Sequence, residues 1–248
     1  MNIRFLLSGE QAMVIEFGNT IDQAINARVH RLAKLLAGLN DDRIIEIVPT
    51  YRSLFVQFDP ACISRQQLTD MVNKLLASMK DDEEDSSPKK VVYVPVCYDA
   101  DFGPDMAFVV EHTKLPAEEV IAIHTGTAYQ VYMIGFTAGF PYLGSMPEKI
   151  AVPRLKTPRT KIPAGSVGIA GSQTGFYPIE SPGGWQLIGR TPIKAFSPDS
   201  QNPFLFAAGD YLQFRAVSRS EYDDIAKQVT RGEYVAETGV LKKGAGAN

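Results

Sequence analysis

Apolar positions in the first eighty residues switch between two spacings. Phe5-Leu6-Leu7 and Met13-Val14-Ile15-Glu16-Phe17 are short strand-like runs on either side of a turn at Gly9-Glu10-Gln11. From Ile21 the spacing lengthens. Ile21, Ile25, Val29, Leu32, Leu36 and Leu39 recur every three or four residues and define one face of a helix. Asn19 or Thr20 is the expected cap, because a side-chain oxygen there can accept a free backbone N–H. Asn40-Asp41-Asp42 ends the helix. Ile44 to Val48 is β-branched and strand-like up to Pro49, and Leu54 to Phe58 is the next strand. Ser64 with Gln67 three residues on is a capping box, opening a helix that carries Leu68, Met71, Val72, Leu75, Leu76 and Met79. The order β-β-α-β-β-α predicts a small α/β sandwich domain over residues 1–88, with two helices on one sheet face.

The run Asp81-Asp82-Glu83-Glu84-Asp85-Ser86-Ser87-Pro88 interrupts this pattern. Five successive acids repel one another, so the segment reads as a solvated tether. Val91 to Val96 resumes as a strand that either pairs back or opens a second domain. Asp105–Lys114 and Ala117–Thr125 are expected helices, the second with Pro116 in its first turn. Eleven of the 20 glycines lie between Gly126 and Gly189, and eight of the 16 prolines between Pro141 and Pro192. Short apolar pieces separated by tight turns (Tyr129–Ile134, Val167–Ala170, Trp185–Ile188, Leu205-Phe206, Tyr211–Phe214) predict a β-barrel or sandwich over residues 89–248. Ser220 to Val229 is a terminal helix candidate capped by Ser220, and Lys242 to Asn248 is expected to fray.

The balance of 25 basic and 28 acidic residues in 248 argues against a nucleic-acid-binding role driven by bulk charge. An apolar content of 45% argues against a disordered chain. Cys62 and Cys97 read as buried free thiols in a reducing compartment, the cytoplasm. Val120 to Pro147 carries no Asp, Glu, Lys or Arg, but His124, Gln130, Gly135, Gly139 and Pro141 interrupt it, so a buried region is expected rather than a membrane span. Phe5-Leu6-Leu7 is too short for a signal-peptide core.

Neither a Walker-type phosphate loop nor a Gly-x-Ser-x-Gly nucleophile elbow occurs. His30, His112 and His124 are far apart, and no His/Cys cluster has metal-ligand spacing. The chemistry-bearing signals lie between His124 and Arg190. Gly135-Phe136-Thr137-Ala138-Gly139-Phe140-Pro141-Tyr142-Leu143 combines sharp-turning glycines with aromatic surface, fitting either a packed corner or a binding loop. Pro158 to Gly175 places Arg159 and Lys161 before a run of small residues, Gly165 to Gly171, whose backbone N–H groups could converge on an anion. From Lys149 to Lys194 seven cations face the single acid Glu180, a local basic excess suited to a carboxylate or phosphate. Gly183-Gly184-Trp185 sets the only tryptophan in a turn, and Arg190 could clamp a carboxylate.

The ordered series Ile134–Leu143, Pro163–Gly171, Ser181–Trp185 and Gly189–Pro192 resembles the allophanate hydrolase subunit 1 family, across about residues 3–230. That family includes the B subunits of bacterial 5-oxoprolinases and an inhibitor of a sporulation histidine kinase. The resemblance implies an α+β N-terminal domain followed by a cyclophilin-like β-barrel C-terminal domain. It implies a carboxyltransferase-like partner, the C subunit (subunit 2), and a third, lactam-utilisation A subunit. The assembly would open 5-oxoproline to glutamate with ATP. A histidine kinase, or a urea/allophanate carboxyltransferase system, are the alternative settings. By resemblance, His124, Arg159 and Arg190 are the candidate catalytic residues. His124 would move a proton near the lactam, while Arg159, Lys161 or Arg190 would hold negative charge. Gly135, Phe136, Gly139, Phe140, Pro141, Tyr142, Lys161 and Gln173 are the candidate substrate-binding residues. Family loops read Gly-Phe-x-Pro-Gly-Phe-Pro-Tyr-Leu, and here Ala138 replaces the proline.

Overall fold

The computed structural model describes residues 3–79, 89–144, 146–200 and 202–241. The acidic run expected to form a tether and the C-terminal Lys242–Asn248 lie outside the described residues. The chain divides into two compact units, Met1–Ser87 and Pro88–Asn248.

The first unit is built on an antiparallel sheet of β1 (Arg4–Leu7), β2 (Ala12–Glu16), β3 (Ile44–Pro49) and β4 (Ser53–Phe58), in the order β1-β2-β4-β3. Alternation puts Met13, Ile15, Phe17, Leu54, Val56 and Phe58 on one face, each almost wholly buried. Helices α1 (Gln23–Ala37) and α2 (Arg65–Ser78) cover that face with Ile25, Val29, Leu32 and Leu36 from the first and Leu68 and Val72 from the second. Each such side chain contributes roughly 1.5–3 kcal/mol of burial. The capping box forms: Ser64 Oγ accepts the Gln67 N–H, and Gln67 Oε1 accepts the Ser64 N–H. The first helix starts later than expected. Asp22, with extended backbone, caps it through the Ile25 N–H, leaving Ile21 and Leu39 exposed beyond its ends. On the other face, buried Glu16 pairs with both Arg4 and Arg52. Cys62 is exposed, contrary to expectation, because it lies in the turn after β4; Cys97 is buried.

In the second unit β5 (Lys90–Val96) pairs in parallel with β13 (Tyr211–Ala216) and antiparallel with β14 (Thr238–Val240). It therefore opens the second unit. The five-stranded order is β14-β5-β13-β6-β7, with β6 (Ala128–Ile134) and β7 (Pro141–Leu143) forming a hairpin. A second sheet runs β10-β9-β12, from β10 (Gln173–Phe176), β9 (Ser166–Ala170) and β12 (Gln186–Arg190). Strands β8 (Arg159–Ile162) and β11 (Ser181–Gly183) form a two-stranded ladder. None of these sheets closes into a barrel among the described residues. Strands of three to seven residues, bulges and proline turns divide the ladders instead. One core cluster joins residues of both larger sheets, including Val94, Tyr129, Val167, Ile188 and Phe214.

Helices α3 (Met106–Thr113) and α4 (Ala117–Gly126) follow β5, with Pro116 as the cap of α4 rather than inside its first turn. Helix α5 (Arg219–Arg231) is capped by Ser218, not Ser220, through the Glu221 N–H. Leu205-Phe206 is not a strand; Phe204 makes only an isolated bridge to Phe196.

Candidate functional site

His124 lies in the last turn of α4 and is fully buried. Phe214 of β13 stacks on it, ring centroids 4.4 Å apart. Both ring nitrogens are engaged, Nδ1 with the Tyr98 hydroxyl at 2.7 Å and Nε2 with Thr174 Oγ1 at 2.8 Å. Thr174 Oγ1 also donates to the Gly168 carbonyl at 3.1 Å. A hydroxyl has one proton to give. Thr174 therefore accepts from Nε2–H, Tyr98 donates to Nδ1, and the imidazole is the neutral Nε2–H tautomer. Burial alone pushes its pKa from 6.5 down to about 3. The structure thus places His124 as a sealed bridge between α4, β5's end and β10, with no ring nitrogen left for a substrate.

The Gly135–Leu143 loop is the β6–β7 hairpin connection. Thr137 N–H donates to the Gly135 carbonyl at 2.7 Å, closing a tight turn around Phe136 at φ +62°. A positive φ is costly for an aromatic residue and holds Phe136 out at 61% exposure. Next, Phe140 N–H donates to the Thr137 carbonyl at 3.0 Å, and Gly139 has φ +83°. That is a type II turn with Ala138 in its second position, where proline is favoured. The family's proline is therefore replaced without loss of the turn, because Gly139 supplies the left-handed residue. Ala138→Pro is expected to stabilise the second unit by about 0.4–1 kcal/mol by restricting the unfolded chain. Urea unfolding followed by Trp185 fluorescence would check it.

Behind the loop, Phe140 is buried and meets four rings. Phe136, Tyr142, Tyr177 and Trp185 lie 5.6, 5.1, 5.6 and 5.7 Å from it, centroid to centroid. Pro141 and Tyr142 pair with Ile134 and Met133 in the hairpin, and Gly135 N–H bonds the Phe140 carbonyl. Trp185 is a core anchor of this cluster.

The cations do not form one patch. Arg159 binds Asp105 Oδ1 at 2.7 Å and points another nitrogen at the Trp185 carbonyl. Asp105 Oδ2 accepts the Leu187 N–H at 2.6 Å, so the pair ties the start of α3 to β8 and β12. Lys161 pairs with Glu180 at 3.1 Å on the surface. Gln173 opens β10 opposite Ala170, beside the His124 partner Thr174. Arg190, at the end of β12, lies instead over the Phe102 ring at 4.8 Å.

The small-residue run expected to cradle an anion is a central strand. Its N–H groups are spent: Gly165 on the Tyr177 carbonyl, Ser166 on Pro163, Gly171 on Val152, and β9 is paired on both sides. Local sequence could not reveal this, because the partners lie in distant strands. The same holds for Asp105, Tyr98 and Thr174, which sequence reasoning did not single out as site residues. Only Asp105 carried a signal, as a helix-start acid, and its carboxylate makes no cap.

An open cleft of about 1040 Å³ lies beside the hairpin loop. Its walls are Phe136, Thr137, Phe204 and Leu205, with Lys90 and Asp210 at one side, 3.7 Å apart. Among the described residues no group of three His, Cys, Asp or Glu could hold a metal ion, and no helix is long and apolar enough to cross a membrane.

A mixed α/β chain with these open sheets and this glycine-aromatic hairpin matches the carboxyltransferase domain, subdomain C and D, over residues 3–206; the chain belongs to that family. It is 43% identical over 234 residues to the B subunit of 5-oxoprolinase from Bacillus subtilis (strain 168), covering 90% of this chain and 97% of that one. The solved structure of TTHA0988 is 34% identical with a TM-score of 0.74, covering 84% of this chain and 40% of that one. The urea amidolyase of K. lactis, 20% identical with a TM-score of 0.81 over 96% of this chain and 16% of that one, is alike in fold.

Proposed function

We propose that this chain is a non-autonomous subunit of an ATP-dependent 5-oxoprolinase. It acts in the cytoplasm with a carboxyltransferase-like C subunit and a lactam-utilisation A subunit. The observation that carries the reading is the near end-to-end match, at 43% identity, to a protein named as the B subunit of 5-oxoprolinase. The reaction adds water across the lactam C–N bond and leaves glutamate. Positive charge beside the substrate carboxylate and the developing oxyanion would assist it.

Within this reading the hairpin Gly135–Tyr142 and the rings behind it form the wall of the substrate side. Arg190 holds an anionic group. Arg159 is a positioning residue, since its guanidinium is already bound to Asp105. His124 is likewise a positioning residue, holding Tyr98 and Thr174 in place. ATP is assigned to the assembly. The Gly165–Gly171 run does not fit a phosphate cradle in this chain, because its N–H groups are committed to neighbouring strands.

The test is ATP-dependent glutamate release from 5-oxoproline by the purified partner subunits, with and without this chain. Release that requires the chain is the expected result; equal release without it overturns the reading. One observation favours a second reading, inhibition of a histidine kinase: Phe136 and Phe204 stand 61% and 46% exposed at the cleft. Loss of kinase autophosphorylation on adding the chain is the result that reading requires.

A further inference from the structure

A cluster apart from the hairpin holds two cations against one ring. The guanidinium carbons of Arg190 and Arg219 lie 4.8 and 4.3 Å from the centroid of Phe102. Tyr222, one turn into α5, packs on the same ring at 4.6 Å. Two like charges gathered on one aromatic group repel each other, and the ring's quadrupole offsets only part of that. Arg219 reaches the exposed carboxylates of Asp101 and Asp223 at 3.7 and 3.5 Å. Arg190 makes no hydrogen bond or ion pair through its side chain with any described residue, and its Nε is buried without a partner. A buried guanidinium nitrogen left unpaired is costly, and such a group calls for an acceptor.

The surroundings supply one further unpartnered hydroxyl. Ser166 is the cross-strand partner of Arg190, so both side chains leave the same face of the sheet. Ser166 is fully buried and its hydroxyl has no partner. Cys97 pairs with Arg190 from the other side through a bridge with both backbone bonds at 2.9 Å, which fixes where the arginine emerges. These are the parts of an anion receptor: one guanidinium without a side-chain partner among the described residues, with a second guanidinium and a phenol ring packed on the same Phe102 ring, all held by sheet and helix.

We propose that Arg190, Arg219 and Tyr222, stacked on Phe102, bind a small oxyanion. The guanidinium fork suits a carboxylate or a phosphoryl group equally. The proposal rests on the 5-oxoprolinase reading and deepens it by giving Arg190 its neighbours.

The experiment is calorimetric titration of the full chain with three probes. These are 5-oxoproline, inorganic phosphate, and 2-pyrrolidinone, which keeps the lactam ring and lacks the carboxylate. At least one of the two anions is expected to bind, and 2-pyrrolidinone is not; which anion binds distinguishes a substrate carboxylate from a phosphoryl group. Arg190→Gln should weaken binding about tenfold or more, the loss of a charge-assisted pair. Arg219→Gln and Tyr222→Phe should each weaken it several-fold, while Lys227→Gln, farther along α5, leaves it unchanged. If Arg190→Gln does not fold by Trp185 fluorescence, the two α5 variants decide. Failure of the wild-type chain to bind either anion overturns the proposal. So does unchanged affinity in the folded variants, whatever the glutamate-release assay gives.

Discussion

His124→Ala is expected to destabilise the second unit by about 4 kcal/mol or more. The change removes a fully buried ring stacked on Phe214, and comparable ring deletions cost roughly 3–5 kcal/mol. It also strands the Tyr98 hydroxyl, whose proton the ring accepts, and removes the one bond that Thr174 Oγ1 accepts. The pH dependence separates this from a proton-transfer role. In the folded chain the imidazole pKa is lowered to about 3; unfolded, it returns to about 6.5. Below pH 6.5 the unfolded state therefore takes up a proton that the folded state refuses. The stability contributed by this group is whole above pH 6.5 and is lost progressively as pH falls toward 3. Between pH 6.5 and pH 5 the loss is about 2 kcal/mol. Urea unfolding followed by Trp185 fluorescence, which reports the unit containing both residues, should show this slope in the natural chain. His124→Gln should flatten it by one proton. An unchanged slope in that variant would show that the ring titrates normally in the fold and is not sealed.

Where the sequence could be read, the information was local. The Ser64–Gln67 capping box lies within one turn, and it forms as the spacing predicts. Strand alternation in Met13–Phe17 and Leu54–Phe58 marks an inward face, and those residues line the first core. The cap of α1 lies two or three residues beyond Asn19 and Thr20, because Asn19, Thr20 and Asp22 are all competent caps. In the structure it is Asp22 whose side chain accepts the Ile25 N–H.

The site was harder for the same reason in reverse. The family resemblance groups His124, Arg159 and Arg190, but the surroundings of each are decided by distant partners. Tyr98 and Thr174 lie 26 and 50 residues from His124, and Asp105 lies 54 from Arg159. Those partners turn an expected acid–base residue into a sealed bridge and an expected anion clamp into a brace. Arg190 alone keeps its charge uncommitted, and the residues beside it, Arg219 and Tyr222, belong to a helix outside the motif series. Small residues between Gly165 and Gly171 suggested free N–H groups. A strand with neighbours on both sides has none to spare, and pairing between strands is not written into either strand by itself.

Gly165→Ala is expected to cost more than 3 kcal/mol, while Gly171→Ala, six residues on, costs about 1. Both glycines have positive φ, +79° and +57°, so both substitutions pay the left-handed penalty of roughly 1–2 kcal/mol. They differ in what the new methyl would meet. At Gly171 nothing lies within 4 Å. At Gly165 it would stand 2.1 Å from the Thr191 carbonyl oxygen and 3.3 Å from Arg190 Cγ. The first contact is with backbone, so the strain cannot be relieved by rotating a side chain. Gly165 is also held on both sides, its N–H by the Tyr177 carbonyl at 2.7 Å and its carbonyl by the Thr191 N–H at 2.8 Å. Either those bonds stretch or the end of β12 moves, and Arg190 moves with it. The urea midpoint should therefore fall far more for Gly165→Ala than for Gly171→Ala, and amide exchange at Thr191 should quicken only in the former. Oxyanion binding should weaken in the same variant, since its guanidinium no longer emerges over Phe102. Equal midpoints for the two variants would mean that the Gly165–Thr191 contact yields without cost, and the rigid placement of Arg190 would fall with it.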